Sequence, residues 1–205
     1  MMKGAAVMAL MFSISSFLSA GTGSIGSVVS QGDLRIDNYP IKASGTVFDG
    51  SAIETGNGAI SRADVRLDGN VRLTLFGDSS GTLFRDHFVL LRGEVEVAVT
   101  APFRTEVTGL IVSASEPHTT GLISIEQDGV VNVSAQAGSF QVAKTGGSLL
   151  ARVSPQKPLA LSRTSDGEWR AGNGSNGDFG RDHHHCYVED DDRDCDHHHH
   201  HHPSN

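Results

Sequence analysis

The chain has 205 residues, which is enough for one domain, or for one domain followed by a tail. Its formal net charge of −8 argues against a nucleic-acid-binding protein, which would carry a strongly basic face. Glycine is four times as frequent as proline, 24 residues against 6, and this balance indicates many tight turns rather than long helices.

The N-terminal segment has the features of a secretory signal peptide over residues 1–20. Lys3 supplies the positive charge, and Gly4–Leu18 forms an uncharged and mostly apolar stretch. Small residues follow, so that cleavage after Ala20 is expected. The segment predicts export to the periplasm, the cell surface or the medium. A retained membrane anchor is the alternative, and only in that case is membrane association expected.

The next segments predict an all-β domain. Residues 21–44 are interpreted as an N-terminal extension with the first strand or strands, and residues 45–162 as the domain proper. Apolar and polar residues alternate there with the period of two that is typical of strands with one buried face. The alternating segments are Ala63–Leu67, Val71–Leu75, Val95–Val99, Ile123–Ile125 and Val131–Val133.

Turn signals separate these segments. Asp68-Gly69 and Asp128-Gly129 each stand between two alternating runs, and such pairs are strong hairpin signals. Several of the turn signals recur at spacings of about 8 to 12 residues, which fits a sandwich, a barrel or a solenoid of strands. The alternation does not determine how the strands are connected.

Five segments of the domain form a set of strand-and-turn motifs, namely Glu54–Ala59, Val65–Leu73, Leu90–Val97, Phe103–Val107 and Asp128–Val133. In this order and spacing, which are more specific than any one motif, they resemble the FecR-like domain, the extracytoplasmic module of bacterial FecR regulators. The resemblance covers roughly residues 45–162.

This resemblance implies an all-β fold, either a twisted β-solenoid-like unit or a β-sandwich. In the regulators, such domains relay a signal from an outer-membrane receptor to a cytoplasmic sigma factor. No anti-sigma segment precedes the leader here, so the role in sigma-factor control is not expected. The resemblance instead implies a stand-alone exported FecR-like domain.

The C-terminal part contains candidate ligand chemistry. Residues 163–180 are predicted to be a Gly-rich linker, in which Trp169 either packs on the sheet or stays exposed, and residues 181–205 a disordered tail rich in His and Asp. Cys186 and Cys195 are expected to form a disulfide after export, with free thiols as the alternative. No cofactor is required, but imidazoles suit Zn, Cu or Ni. The candidate ligands are His183, His184, His185, His197, His198, His199, His200, His201 and His202.

An engineered tag is the alternative origin of the final histidine run. The run continues into Pro203-Ser204-Asn205, and a second and shorter run lies upstream, so a native origin is favoured.

The sequence of the β domain does not predict an enzyme. Its two histidines, His87 and His118, lie apart in the sequence, and no G-x-S-x-G motif is present. Glu94 and Glu96 project from the same face of one strand, as a glycosidase pair could. A solvated strand face, with Arg72 or Arg92 as ion-pair partners, is the favoured interpretation.

The sequence therefore predicts an exported, non-enzymatic FecR-like interaction or sensing module of the bacterial cell envelope. Its expected partner is an envelope protein or a surface polymer, and no nucleic acid is expected. The candidate surface residues are Arg66, Arg72, Glu94 and Glu96. One alternative is a metal-binding or metal-buffering protein that acts through its tail, and another is a structural envelope or matrix protein.

Overall fold

The computed structural model describes residues 23–172, and this part of the chain is built from strands without a helix. The prediction of an all-β fold is thus confirmed. The strands are β1 (Ser24–Gln31), β2 (Leu34–Ile36), β3 (Tyr39–Ile41), β4 (Ser44–Phe48), β5 (Ser51–Thr55), β6 (Arg62–Leu67), β7 (Val71–Leu75), β8 (Ser80–Leu83), β9 (His87–Val99), β10 (Arg104–Val107), β11 (Leu110–Ala114), β12 (Thr119–Ile125), β13 (Val131–Ala137), β14 (Phe140–Lys144), β15 (Leu149–Val153), β16 (Leu159–Arg163) and β17 (Trp169–Gly172).

The strands form two sheets that share β9. Sheet A has the order β4-β1-β6-β7-β9-β12-β13-β16-β17, and all of its neighbours are antiparallel. Sheet B has the order β3-β2-β5-β8-β9-β10-β11-β14-β15, and β9–β10 is its one parallel pair. The chain visits the two sheets alternately, mostly as hairpins. The sheets do not close into a barrel.

The core lies between the two sheets. Apolar residues from both sheets belong to one buried cluster, in which Phe88, Phe140 and Ile53 are among the largest fully buried side chains. The packing is close, since a Cβ built on Gly121 of sheet A would lie 2.5 Å from the Phe140 ring of sheet B. The alternation predicted from the sequence therefore marks the inner face of each sheet.

The two predicted hairpins are confirmed. β6 and β7 pair around Asp68-Gly69, and β12 and β13 pair around Asp128-Gly129. Gly69 and Gly129 have φ of +85° and +82°, values that favour glycine over any residue with a side chain. The predicted strand segments correspond to β6, β7, the second half of β9, β12 and β13.

β9 crosses from one sheet to the other. Residues 87–92 pair with β8 and β10 in sheet B, whereas residues 93–99 pair with β7 and β12 in sheet A. The buried positions change parity along the strand, from Phe88 and Leu90 to Val95 and the alternate residues after it. Leu91 is an extra residue in the pairing with β8 and is exposed. The bulge therefore lets both halves of one strand face the core.

Strands also lie on both sides of residues 45–162. Residues 24–41, in the extension where the first strand or strands are expected, form β1–β3, and β1 lies inside sheet A between β4 and β6. At the other end, β17 lies within the segment predicted to be a linker and pairs with β16. Trp169 is half-buried against the core, and the centroid of its ring lies 5.6 Å from the Arg163 guanidinium carbon. Within residues 23–172 there is no helix that could cross a membrane.

Candidate interaction face

The four predicted surface residues lie on one face of the molecule, the outer face of sheet A. On β6 and β7, the residues between the polar ones are buried, so Arg66 and Arg72 point outward. On β9, the valines at 95, 97 and 99 are buried, so Glu94 and Glu96 point outward as well. The central strands of the sheet thus present two arginines and two glutamates side by side, which we call the charged face.

The two arginines are direct neighbours. The antiparallel register of β6 and β7 places Arg66 opposite Arg72, and both side chains are exposed. Opposed residues on antiparallel strands have Cβ atoms about 4.5–5.5 Å apart, and like charges at that distance destabilise the sheet. Neither arginine forms an ion pair with any residue in the part of the chain that the structure describes.

The carboxylate closest in register to this arginine pair is already engaged. Asp64 lies one outward position from Arg66 on β6, and it accepts hydrogen bonds from Arg62 at 2.9 Å and from Thr74 at 2.9 Å. Burial opposes ionisation of Asp64, but these two hydrogen bonds and the charges of Arg62 and Arg72 outweigh it and lower the pKa of the carboxyl. Asp64 is thus an anion held by Arg62.

A groove of about 610 Å³ opens beside the arginine pair. Arg66 and Arg72 line one side, and polar residues from three turns or strand ends complete it, namely Asn70, Thr100, His118 and Thr120. Asn70 and His118 have φ of +63° and +58°, in the left-handed region where non-glycine residues are uncommon. A groove of this size falls within the range of about 300–1,000 Å³ that is typical of small-molecule sites.

The two glutamates lie on the next strand. Glu96 lies between Thr74 of β7 on one side and Leu122 of β12 on the other. Glu94 stands opposite Ser124 of β12. Both carboxylates are half-buried, and neither makes an ion pair with a residue between 23 and 172. The expected pairing with Arg72 or Arg92 is therefore not formed.

Arg92 has other partners, because it precedes the point at which β9 crosses between the sheets. Its guanidinium lies 3.1 Å from Asp78 Oδ1 and 3.5 Å from Glu54 Oε1. Its Nε also donates to the Asp78 carbonyl oxygen at 3.2 Å. Arg92 is thus a cross-strand brace in sheet B and not part of the charged face.

Two of the five segments that resemble FecR-like motifs, Glu54–Ala59 and Leu90–Val97, meet at this crossing. Thr55 Oγ1 accepts from the Ser79 amide at 2.9 Å, and the buried Ser79 hydroxyl bonds both the amide and the carbonyl of Glu94. Gly93 lies against Ser79, and a Cβ there would stand 2.4 Å from its Oγ. The Thr-Gly and Gly-Glu motifs therefore have a structural role, since they fix the place where β9 changes sheets.

Sequence reasoning missed several residues of the groove. Asn70 and Thr100 lie in turns, and His118 is distant in sequence from β6 and β7, so strand alternation did not indicate them. The unusual backbone of Asn70 and His118 is a signal that only the structure shows. The tail histidines, Cys186, Cys195 and the leader lie outside the described residues. Between residues 23 and 172, no group of three or more His, Cys, Asp or Glu side chains is placed to hold a metal ion.

Comparison with known proteins found little of close similarity. No family model matches the chain, and no curated protein matches it. Two crystal structures of a "putative anti-sigma factor" from Parabacteroides distasonis, at 2.50 and 1.65 Å resolution, match with a TM-score of 0.48 and 16% identity. The matched region covers 60% of this chain and 59% of theirs. The match is weak, and no functional argument rests on it.

Proposed function

We propose that this chain is an exported, non-enzymatic interaction or sensing module of the bacterial cell envelope, and that the charged face contacts its partner. The signal-peptide pattern of residues 1–20 supports export. The observation that carries the proposal is the pair Arg66 and Arg72, two exposed like charges in direct register without an ion-pair partner among residues 23–172.

Three other arginines on the strands are paired, since Arg62, Arg92 and Arg104 each have a carboxylate within ion-pairing distance. Paired charges of this kind are part of the protein's own surface network, and at exposed positions they contribute little to stability. Some strand arginines, such as Arg35 and Arg170, lack an ion pair within residues 23–172, so what distinguishes Arg66 and Arg72 is that they stand directly opposite each other. The four charges of the charged face, which form no ion pair with residues 23–172, are available to the charges of another molecule, and charge complementarity of this kind gives a contact its specificity.

Site-specific photo-crosslinking in a cell that produces the full chain tests this proposal. A photoreactive residue replaces Ala98, which lines the groove on the charged face, or Gln141, which is exposed on the outer side of sheet B. We expect a discrete adduct from position 98, in the exported fraction, and none from position 141. Adducts of equal yield from both faces, or none from position 98, would contradict the proposal.

The nine tail histidines support a second candidate function, binding or buffering of Zn, Cu or Ni. Titration calorimetry of the full chain with zinc or copper, alongside a version that ends at Gly177, separates the two functions. A fixed low stoichiometry that is lost from the shorter version supports metal handling. Weak binding with a drifting stoichiometry would contradict metal handling, and an interaction module keeps the crosslink from position 98 in the shorter version.

A further inference from the structure

The arginine pair forms no ion pair within the described part of the fold. Arg66 and Arg72 face each other across β6 and β7, and each directly opposed like-charge pair disfavours the sheet. Asp64 is engaged by Arg62 and Thr74. An anion placed between the two guanidinium groups would remove the repulsion and gain charge-assisted hydrogen bonds.

The groove is too large for a simple ion alone. Its volume of about 610 Å³ extends from the arginines to His118 and Thr120, where side chains offer further hydrogen-bonding groups. Leu67, Val71 and Val99 also line it, but their side chains are almost fully buried in the core. The site thus combines a cationic end with polar walls, which suits an acidic group carried on a larger ligand.

The rest of the charged face argues against a uniformly anionic polymer. Glu96 lies on the strand next to Arg72, in a diagonal position about 7–8 Å away, and Glu94 lies one outward position further. A chain with an acidic group on every unit would meet these carboxylates and Asp64 as it followed the sheet. A ligand with a basic group beside its acidic group would match both halves of the face.

We propose that the groove binds a peptide segment of a partner protein, with an acidic side chain of that segment between Arg66 and Arg72 and a neighbouring basic side chain facing Glu94 and Glu96. This inference rests on the proposed function, because it names the chemistry of the partner at the same face. Guanidinium groups bind carboxylates in a bidentate geometry, so a carboxylate is the matching acidic group.

Peptide binding to the isotopically labelled full chain, followed by NMR, tests the inference. The probes are an end-blocked peptide with alternating Asp and Lys, its Asn-for-Asp counterpart, an oligo-aspartate of the same length, and sodium sulfate. We expect the Asp–Lys peptide to shift amide signals of β6, β7 and residues 98–100. The Asn counterpart should bind about tenfold more weakly, since it lacks the charge that the arginines recognise.

Matched variants locate the binding. The double variant Arg66→Gln, Arg72→Gln should lose binding of the Asp–Lys peptide by about tenfold or more. Arg170→Gln is the control, because Arg170 is exposed on β17 of the same sheet. Its substitution removes one positive charge, as each substitution in the double variant does. The substituted side chains are solvent-exposed, and circular dichroism with thermal unfolding shows that each variant is folded.

Several outcomes would overturn the inference. Sulfate that shifts the same signals as strongly as the Asp–Lys peptide would reduce the site to an ion site. Tighter binding of oligo-aspartate would favour a polyanionic partner, and an absence of shifts near β6 and β7 would remove the site. The crosslink from position 98 is independent of these results. If the crosslink persists while the peptide fails to bind, the inference is wrong and the proposed function stands. If the peptide binds but no crosslink forms, the inference stands and the proposed function is wrong.

Discussion

Two exposed arginines of this protein show what a paired and an unpaired charge mean. Arg92, near the crossing of β9, forms ion pairs with Asp78 and Glu54 and donates to the Asp78 carbonyl oxygen, so that it ties β9 to β5 and to the turn before β8. Arg72, on β7 of sheet A, faces Arg66 and has no ion-pair partner among the described residues. The same side chain is therefore a brace in one sheet and an available charge in the other.

The neighbourhoods of the two residues differ in the same way. Around Arg92, the backbone is held by the buried hydrogen bonds of Thr55 and Ser79, and the polar groups satisfy one another. Around Arg72, the residue directly opposite is Arg66, and the neighbouring carboxylate of Asp64 is bonded by Arg62 and Thr74. Left-handed turn residues and open grooves occur beside both arginines, since Asp78 has a φ of +58° and Arg92 lines a groove of about 740 Å³. The two regions therefore differ in how their charges are paired.

The largest predicted effect lies in the stable region, at Gly93. Gly93→Ala introduces a Cβ 2.4 Å from Ser79 Oγ and 2.6 Å from the Asp78 carbonyl oxygen, at a φ of +83°. The left-handed backbone costs about 1–2 kcal/mol and the overpacking about 1–3 kcal/mol more. Denaturant unfolding should therefore show a loss of about 2–5 kcal/mol.

Gly129→Ala is the matched control for this change. Its φ of +82° is nearly the same, but a Cβ there has no atom within 4 Å, so only the backbone cost of about 1–2 kcal/mol is expected. If the two variants lose equal stability, the close contact between Gly93 and Ser79 does not support the crossing of β9.

A somewhat smaller effect is expected at Ser79, which is fully buried. Its hydroxyl donates to the Glu94 carbonyl at 3.0 Å and accepts from the Glu94 amide at 2.8 Å. Ser79→Ala removes this partner from the Glu94 amide, whereas the Glu94 carbonyl keeps its bond from the Phe76 amide at 3.1 Å. Unsatisfied buried groups cost about 1–3 kcal/mol. Ser80→Ala, next to it and only half-buried, should change the free energy of unfolding by less than about 0.5 kcal/mol. A loss as large at Ser80 would contradict the role assigned to Ser79.

The two arginines should respond with opposite signs. Arg92→Gln removes exposed ion pairs and should destabilise the protein by up to about 1 kcal/mol. Arg72→Gln removes a like-charge contact with Arg66 and should stabilise it by about 0.2–1 kcal/mol at low salt. Added salt should shrink the gain, since it screens the repulsion between these exposed charges.

Thermal unfolding of both variants at low and high ionic strength measures this difference. A loss of stability in Arg72→Gln at low salt would show that Arg72 has a stabilising role in the free protein. The charge of Arg72 would then serve the stability of the free protein and would not be reserved for a partner.

How far the sequence predicts this molecule depends on the range of the interaction involved. The outward positions of Arg66, Arg72, Glu94 and Glu96 follow from local alternation, because side chains of a strand alternate between its faces. The partners of Arg92 could not be predicted, since Glu54 lies in a strand 38 residues earlier in the chain. Only the sheet order brings His118 beside Arg66 and Arg72.

Two strands extend beyond what the local pattern shows. The alternation predicts a strand at Val95–Val99, but the first half of β9 has buried residues of the opposite parity, and the bulge at Leu91 hides their continuity. The glycines after residue 163 predict a linker, and of the two alternatives for Trp169 the structure shows packing on the core, where its apolar surface anchors β17.

The smallest predicted effect concerns acid and the pair Arg62–Asp64 on the charged face. Because the pKa of Asp64 is lowered in the folded protein, its stabilising contribution is complete above the pKa of the unfolded chain. The contribution is lost as the pH falls below about 4 and through the folded value. Asp64→Asn should therefore reduce the pH dependence of stability in this acidic range and leave its slope near pH 7 unchanged. The free energy of unfolding is measured by urea unfolding between pH 2.5 and 5. If its pH dependence is the same with Asp64→Asn, the ion pair with Arg62 does not stabilise the ionised Asp64, and Asp64 would then be free to neutralise Arg72.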